Sequence, residues 1–456
     1  MIDINNIQNI YFIGIGGIGM SNLARYFAAK GAAVSGYDKT PTVLTGQLEA
    51  EGMAIHYTED INLIPQQVDL VVYTPAIPAQ HAELVYYQQH GHTMLKRSQV
   101  LGAIMQHSFS IGVAGTHGKT TTTTMLAHIL RHSGYGCNAF LGGIAVNYNS
   151  NFWTSENNVC VAEADEYDRS FLQLNPDIAI ITSMDADHLD IYGTVEAMEQ
   201  AFIEFSGKVK PGGLLVSKYG LKRTAELKAA GHLTYSGTDS NADVHATNIT
   251  MQQGSYYFDV VLPNKTIQGV ALHMGGMHNV ENVVAAIAVA NHLQIDAEKI
   301  KAAVAAFRGV KRRFEYITAP AESPVMIDDY AHHPEELRAL ITGAKGLFPD
   351  RRCTVIFQPH LYSRTNDLAT EFAQVLDLAD EVVLLPIYPA RELPMPGVRS
   401  EMIGERMTLN SRQVLDKEAL LQWLAERPFE LVITAGAGDI DTLVQPIKEI
   451  LTNRKQ

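Results

Sequence analysis

The chain has 456 residues, 46% hydrophobic and 18% charged, with a formal net charge of −14. That composition belongs to a soluble globular protein with room for roughly two to four domains, and with no signal peptide or membrane-length apolar run the expected location is the cytoplasm. The acidic balance argues against nucleic-acid binding, membrane insertion is not expected, and the well-separated Cys137, Cys160 and Cys353 imply neither a disulfide framework nor a zinc cluster.

Ile10 to Ile13 reads as a strand, and Gly14-Ile15-Gly16-Gly17-Ile18-Gly19 then opens a helix through Met20, Ser21 and onward to Tyr26. A second strand, Ala33 to Tyr37, ends in Asp38. This is a G-x-G-x-x-G turn in a strand–helix–strand setting, which rests a diphosphate on a helix N-terminus. Asp38 stands where a NAD ribose ligand would, so an oxidoreductase fits. A nucleotide-sugar diphosphate fits the same turn, and so do glycines that only permit close helix–strand packing. A further strand, Val68 to Tyr73, leads into a proline-rich turn, and the unit stops near Lys96-Arg97-Ser98.

The stretch that organises the chain follows. Phe109 to Ala114 reads as a buried strand, and Met125 to Leu130 has the apolar spacing of a helix, so Gly115-Thr116-His117-Gly118-Lys119-Thr120 is a strand-to-helix turn. Its N–H groups, from Ala114 onward, suit phosphate; Lys119 adds a charge for the β- and γ-phosphates, and the Thr120 hydroxyl is a Mg²⁺ ligand. Val113 occupies the position where the strict phosphate-loop pattern has glycine, so the loop closes on Gly115 and is shorter than usual. ATP is the expected ligand; the alternative is a tight glycine turn with a solvated lysine.

Asn158 to Ala162 is a short strand running into Glu163-Ala164-Asp165-Glu166-Tyr167-Asp168, and Glu163 at its tip is the expected Mg²⁺ ligand. Asp177 to Ser183 leads to His188, which reads either as a second metal ligand or as a core histidine; three strand ends delivering Lys119 with Thr120, Glu163 and His188 to one edge favour the ligand. Past Lys210-Pro211-Gly212-Gly213 the strands Leu214 to Val216 and Ser255 to Leu262 read as an antiparallel extension. A helix then starts at Gly275 to Asn282. Asn279 and Asn282 are one turn apart, which suits a purine edge or a loop carbonyl, or else a capped helix start.

Lys311-Arg312-Arg313-Phe314-Glu315 is a basic cluster at the entry to a third domain. Val325 to Ile327 ends in Asp328-Asp329-Tyr330-Ala331-His332-His333, with Pro334 and Glu335-Glu336 opening a helix. Thr354 to Phe357 ends in Gln358 to Thr365, and strands Val382 to Pro386 and Glu430 to Thr434 follow. The alternation predicts a doubly wound parallel sheet with Tyr330, His332, His333, Arg364 and Gly438 at its carboxyl edge.

Taken together, Gly14 to Ser21, Gly115 to Thr120, Glu163 to Asp168, His188 to Gly193, His278 to Asn282, Arg312 to Glu315, Asp328 to Pro334 and Gln358 to Thr365 make the sequence resemble the muramyl (Mur) ligases over nearly its whole length. The resemblance implies three α/β domains: a Rossmann-like domain at 1–106 for a UDP-sugar, a central P-loop ATPase-like parallel sheet with a small antiparallel extension at 107–308 for ATP, and a Rossmann-like domain at 309–456 for the amino acid. It implies an ATP-dependent ligase that joins L-alanine to the lactyl carboxylate of UDP-N-acetylmuramate through an acyl phosphate, in cytoplasmic peptidoglycan precursor synthesis, acting as a monomer or weak homodimer. Gly14, Gly16, Gly17, Ile18, Gly19, Met20, Ser21 and Asp38 would hold the UDP-sugar. Ala114, Gly115, Thr116, His117, Gly118, Lys119 and Thr120, with Asn279, Asn282, Arg313 and Asp329, would hold ATP.

By the same resemblance, Thr120, Glu163 and His188 would hold Mg²⁺, or Mn²⁺ in its place, and Tyr330, His332 and Arg364 would frame the amino acid. Lys119, Glu163, His188, His332 and Arg364 would be catalytic. Two positions depart from the family. Phe202 stands where several sister ligases have a carbamylated lysine, and Leu361 replaces the first arginine of P-H-R-F-T-R-T, leaving Arg364 as the carboxylate clamp. The rivals are a recycling ligase that attaches a tripeptide, a NAD-dependent oxidoreductase, and a UDP-sugar-binding protein without catalysis.

Overall fold

The structure is a computed structural model that describes residues 4–185, 189–319, 324–390 and 392–453. Three sheets organise it as three α/β domains. By compactness the chain divides into two units, one of residues 1–246, 260–267 and 281–303, the other of residues 247–259, 268–280 and 304–456.

In the first unit, β1 (Asn9–Ile13), β2 (Ala33–Tyr37), β3 (Ala54–His56), β4 (Leu70–Tyr73) and β5 (Met94–Lys96) form a parallel sheet in the order β3-β2-β1-β4-β5. The run Ile10 to Ile13 is apolar at every position because β1 is central and covered on both faces. The chain leaves β1 through Gly14, whose φ of +91° excludes most side chains, and enters the helix Ile18–Ala29.

The second sheet has β6 (Phe109–Ala114), β7 (Asn138–Ala145), β8 (Ser150–Trp153), β9 (Val159–Glu163), β10 (Ile178–Ile181), β11 (Leu214–Lys218), β12 (Gly231–Ser236), β13 (Val244–Gln252), β14 (Ser255–Leu262) and β15 (Lys265–Leu272), ordered β15-β14-β13-β12-β11-β10-β6-β9-β7-β8. β6 lies between β9 and β10, parallel to both. One expectation is corrected here: Leu214 to Val216 belongs to the parallel part, since β11 pairs parallel with both β10 and β12. The helix Val195–Ser206, capped by Thr194, supplies the crossover that a parallel neighbour requires. The antiparallel extension begins later, where residues 253 and 254 turn β13 into β14 and residues 263 and 264 turn β14 into β15. Phe202, on that crossover helix, is fully buried against Phe171, so the position of the sister ligases' modified lysine is apolar core.

The glycine-turn helix is tied to the second sheet by a buried amide. Asn151 of β8 donates to the Ile18 carbonyl (2.7 Å) and to Ser21 Oγ (2.9 Å), while its oxygen accepts from Arg25, whose guanidinium also grips Glu51. All of Asn151 is out of water.

In the second unit, β16 (Glu315–Tyr316), β17 (Val325–Asp329), β18 (Cys353–Phe357), β19 (Glu381–Leu384), β20 (Arg412–Val414) and β21 (Leu431–Ala435) are ordered β16-β17-β21-β18-β19-β20. All pairings are parallel except β16 with β17. The last strand thus sits between β17 and β18, so their carboxyl ends flank its terminal loop, where open α/β sheets collect ligands. The helix Pro334–Leu347 starts as its Pro and paired glutamates predict, with Glu336 accepting from the His332 and His333 N–H groups.

Replacing Asn151 by leucine removes both amide contacts to the Ile18–Ser21 turn and strands one arm of Arg25 in a dry interface. We expect the first unfolding transition in urea to lose roughly 2–4 kcal/mol; an unshifted transition removes the amide as a tie between the two sheets.

Candidate functional site

The phosphate loop is built by backbone torsion first. Gly115 has φ +139°, and a Cβ there would lie 2.0 Å from Thr182 Oγ1; Gly118 has φ +79°, and a Cβ there would lie 2.7 Å from Asn282 Oδ1. Neither position accepts another residue, because both torsion and space forbid it. Two residues just beyond β10 brace the loop: Thr182 donates to the carbonyls of Ala114 and His117, and Ser183 Oγ accepts the His117 N–H at 2.8 Å and meets Thr116 Oγ1 at 2.9 Å. The helix Lys119–His132 follows, its N-terminus open toward the loop.

Lys119 is turned inward, with Nζ donating to the Gly115 carbonyl and to Glu166 Oε1, each at 2.7 Å. An ammonium has three N–H bonds, so one remains for a phosphate oxygen. Burial pushes the Glu166 carboxyl up, and Lys119 pulls it partly back. Thr120 Oγ1 donates to Glu163 Oε2 at 2.8 Å. That carboxylate lies over Gly142 of β7, where a Cβ would fall 2.0 Å from Oε2. A hydroxyl and a carboxylate are both hard oxygen donors, the chemistry that would suit a small hard cation at this place.

Lys119, Thr120 and Glu163 therefore share one edge, as expected; His188 lies outside the described residues. Asn282 reaches the loop, whereas Asn279 is buried and donates to the Gly275 carbonyl at 2.6 Å. Glu166, Thr182, Ser183 and Gly142 were not singled out by sequence. For Glu166, Thr182 and Ser183 the signal was position just past a strand end, which marks many ordinary loop residues as well; Gly142, inside β7, carried none.

At the first glycine turn, Asp38 Oδ2 accepts the Gly16 N–H at 2.8 Å, so this carboxylate holds the turn itself. The N–H groups of Met20 and Ser21 go to the Gly17 carbonyl, and both side chains are buried. Ile18 and Gly19, the first helical residues, offer the N–H groups that have no intrahelical acceptor.

In the second unit, Asp328 is buried against Arg312 (3.2 Å) and Thr434 (2.6 Å). Asp329 accepts from the N–H groups of Phe314 (2.6 Å) and Ala331 (2.7 Å). Arg312 and Phe314 hold left-handed torsions, φ +59° and +48°, around Arg313, which is exposed, and the Phe314 ring lies over Gly275. Burial pushes the Asp329 carboxyl up to about 6 against the opposing effect of those N–H bonds and of Arg313.

His332, His360 and Arg364 meet beside Tyr330. His332 Nδ1 lies 3.0 Å from the Tyr330 carbonyl, which can only accept, so Nδ1 carries the proton and Nε2 the lone pair. Arg364 Nη1 approaches His360 Nδ1 at 3.4 Å, and the His360 ring stacks on Tyr388. Burial lowers both histidines below their ordinary value. His360 and Tyr388 join this cluster only through the fold: a parallel bridge between their backbones brings the two loops together.

Three family models match in succession: "Mur ligase family, catalytic domain" over residues 9–109, "Mur ligase middle domain" over 113–290 and "Mur ligase, glutamate ligase domain" over 312–438. A UDP-N-acetylmuramate–L-alanine ligase of Parabacteroides distasonis is 49% identical over 457 residues, 99% of this chain and 98% of that protein. One from Cytophaga hutchinsonii is 46% identical over 462 residues, 99% of each. Among solved structures, the UDP-N-acetylmuramate-alanine ligase of Thermotoga maritima superposes with a TM-score of 0.81 at 29% identity, covering 99% of each chain. A murein peptide ligase of Psychrobacter arcticus reaches 0.67 at 25% identity, covering 98% of this chain and 99% of that one.

Because the folded Asp329 titrates near pH 6 rather than near 3.8, folding takes up a proton between those values. The wild type therefore loses that contribution as pH rises through 6 and changes little beyond it. Asp329→Asn carries no such loss, so its stability in urea relative to wild type should improve by roughly 2–3 kcal/mol between pH 4 and 7; parallel pH profiles would contradict the assignment.

Proposed function

The chain belongs to the Mur ligase family, and on that footing we propose that it is the ligase that joins L-alanine to the lactyl carboxylate of UDP-N-acetylmuramate at the expense of ATP, in peptidoglycan precursor synthesis. The observation that carries the chemistry is the convergence of Lys119, Thr120 and Glu163 on one sheet edge around a glycine-cradled turn. Relatives of 46–49% identity over the full length favour alanine over a preformed tripeptide. A nicotinamide chemistry would leave the phosphate loop without a role. Among the described residues no helix is long and apolar enough to cross a membrane, in keeping with a cytoplasmic enzyme.

The reaction must turn a carboxylate into an electrophile. The lactyl carboxylate oxygen attacks the γ-phosphorus, ADP leaves, and the alanine amine then attacks the acyl carbon of the acyl phosphate, releasing phosphate and one proton. The first step brings two anions together, so positive charge must be fixed in advance. The third N–H of Lys119 and the amides at the start of its helix supply that charge, while Glu166 prevents the ammonium from swinging away. Thr120 and Glu163, with His188, would hold Mg²⁺, which offsets charge on the β- and γ-phosphates when bound.

The N–H groups of Ile18 and Gly19 would receive the sugar nucleotide's diphosphate, in a turn kept in shape by Asp38. Asn282, beside Gly118 of the phosphate loop, would contact the adenosine nucleotide. Arg364 would take the alanine carboxylate. His332 suits proton acceptance from the amine, because burial keeps it neutral and Nε2 carries its lone pair, whereas His360 directs its Nδ1 lone pair at Arg364. Residues 1–106, 107–308 and 309–456 would thus serve the sugar nucleotide, ATP and the amino acid in chain order.

Phosphate release with ATP, Mg²⁺ and UDP-N-acetylmuramate, measured across a panel of amino acids and the tripeptide, tests the reading; release with the tripeptide alone refutes it. Lys119→Ala should abolish ATP- and alanine-dependent release while UDP-sugar binding survives, and retained turnover would remove the loop assignment. Arg364→Ala should raise KM for alanine roughly tenfold or more, the loss of a charge-assisted pair, with KM for ATP little changed; an unaltered alanine KM would dismiss the clamp.

A further inference from the structure

Arg97, the first residue after β5, lies where electrostatics alone would not put it. Its guanidinium rests against Gly19 in the first turn of the helix Ile18–Ala29: a Cβ on Gly19 would fall 2.8 Å from Nη1 and 3.1 Å from Cδ. Arg97 also begins its own helix, Arg97–Gln106, so it stands at the positive ends of two helix dipoles, an unfavourable place for a cation. Something must offset this. On one side it is Asp165, whose Oδ2 lies 3.2 Å from Nη2, and Asp165 belongs to the loop between Glu163, bonded to Thr120, and Glu166, bonded to Lys119. Lys96, one residue earlier, approaches Asp168 of the same loop at 3.7 Å. On the other side Nη1 faces the turn that the proposed function assigns to a diphosphate.

Resting on that assignment, we propose that Arg97 is a positioning residue that binds the sugar nucleotide's diphosphate with one arm while holding Asp165 with the other, and so couples occupancy of the glycine turn to the ATP site. A planar guanidinium has five N–H donors in a rigid fork and can serve both anions at once, which a lysine ammonium on a flexible stem does poorly. The diphosphate fixes the fork, the fork fixes Asp165, and the loop with Glu163 and Glu166 loses freedom, so that each nucleotide favours the other. A side chain at position 19 would push the fork aside from where it now rests.

The test is calorimetric titration of the full chain with UDP-N-acetylmuramate, and with a non-hydrolysable ATP analogue and Mg²⁺ in the presence and absence of the sugar nucleotide. In the wild type the sugar nucleotide should tighten analogue binding at least about fivefold. Arg97→Ala should weaken sugar-nucleotide binding about tenfold or more, leave analogue binding alone within about twofold, and lose the coupling. Arg97→Lys keeps the charge without the fork and should lose the coupling with a smaller loss of affinity. Asp165→Asn should bind the sugar nucleotide nearly as wild type yet also lose the coupling. Wild-type sugar-nucleotide affinity in Arg97→Ala, coupling retained in Asp165→Asn, or no coupling in the wild type each overturns the proposal while the ligase reading stands. A wild-type chain that binds no sugar nucleotide brings down both.

Discussion

The proposed reaction sets one constraint: an acidic chain has to hold positive charge still at a place where two anions would meet. Lys119 does this only because its ammonium is pinned between the Gly115 carbonyl and the buried Glu166. A buried carboxylate beside a lysine is costly in isolation, and burial does push Glu166 up; the ion pair and the loop carbonyl offset the cost and give one geometry. From that point the neighbouring strands follow. β9 must end at Glu163 beside Thr120, and β10 must end where Thr182 and Ser183 can brace the turn.

The same economy governs the other sites. Asp38 is spent on the Gly16 N–H and Asp329 on two N–H groups of its own surroundings, so carboxylates that read as ligand contacts in the sequence first serve to fix backbone. Left-handed torsions at Arg312 and Phe314 are retained because Phe314 packs over Gly275, where any side chain would collide. Strain of this kind persists only where surrounding packing over-determines it, and here it presents Arg313 to solvent.

What the chain determined by itself was local and periodic. Alternating apolar runs and glycine-marked turns gave the three α/β sheets, and the G-T-H-G-K-T turn named Lys119 and Thr120, because a strand-to-helix phosphate site is written in consecutive residues. Glu163 was legible as a strand tip. Tertiary structure alone decided what depends on which strands become neighbours. It put β11 in the parallel sheet through its crossover helix, set Glu166 rather than another of the four nearby acids on Lys119, spent Asn279 on a loop carbonyl while sending Asn282 to Gly118, and brought His360 and Tyr388 together. Adjacency between distant segments is fixed by sheet order and side-chain packing, and no stretch of sequence carries that order within itself.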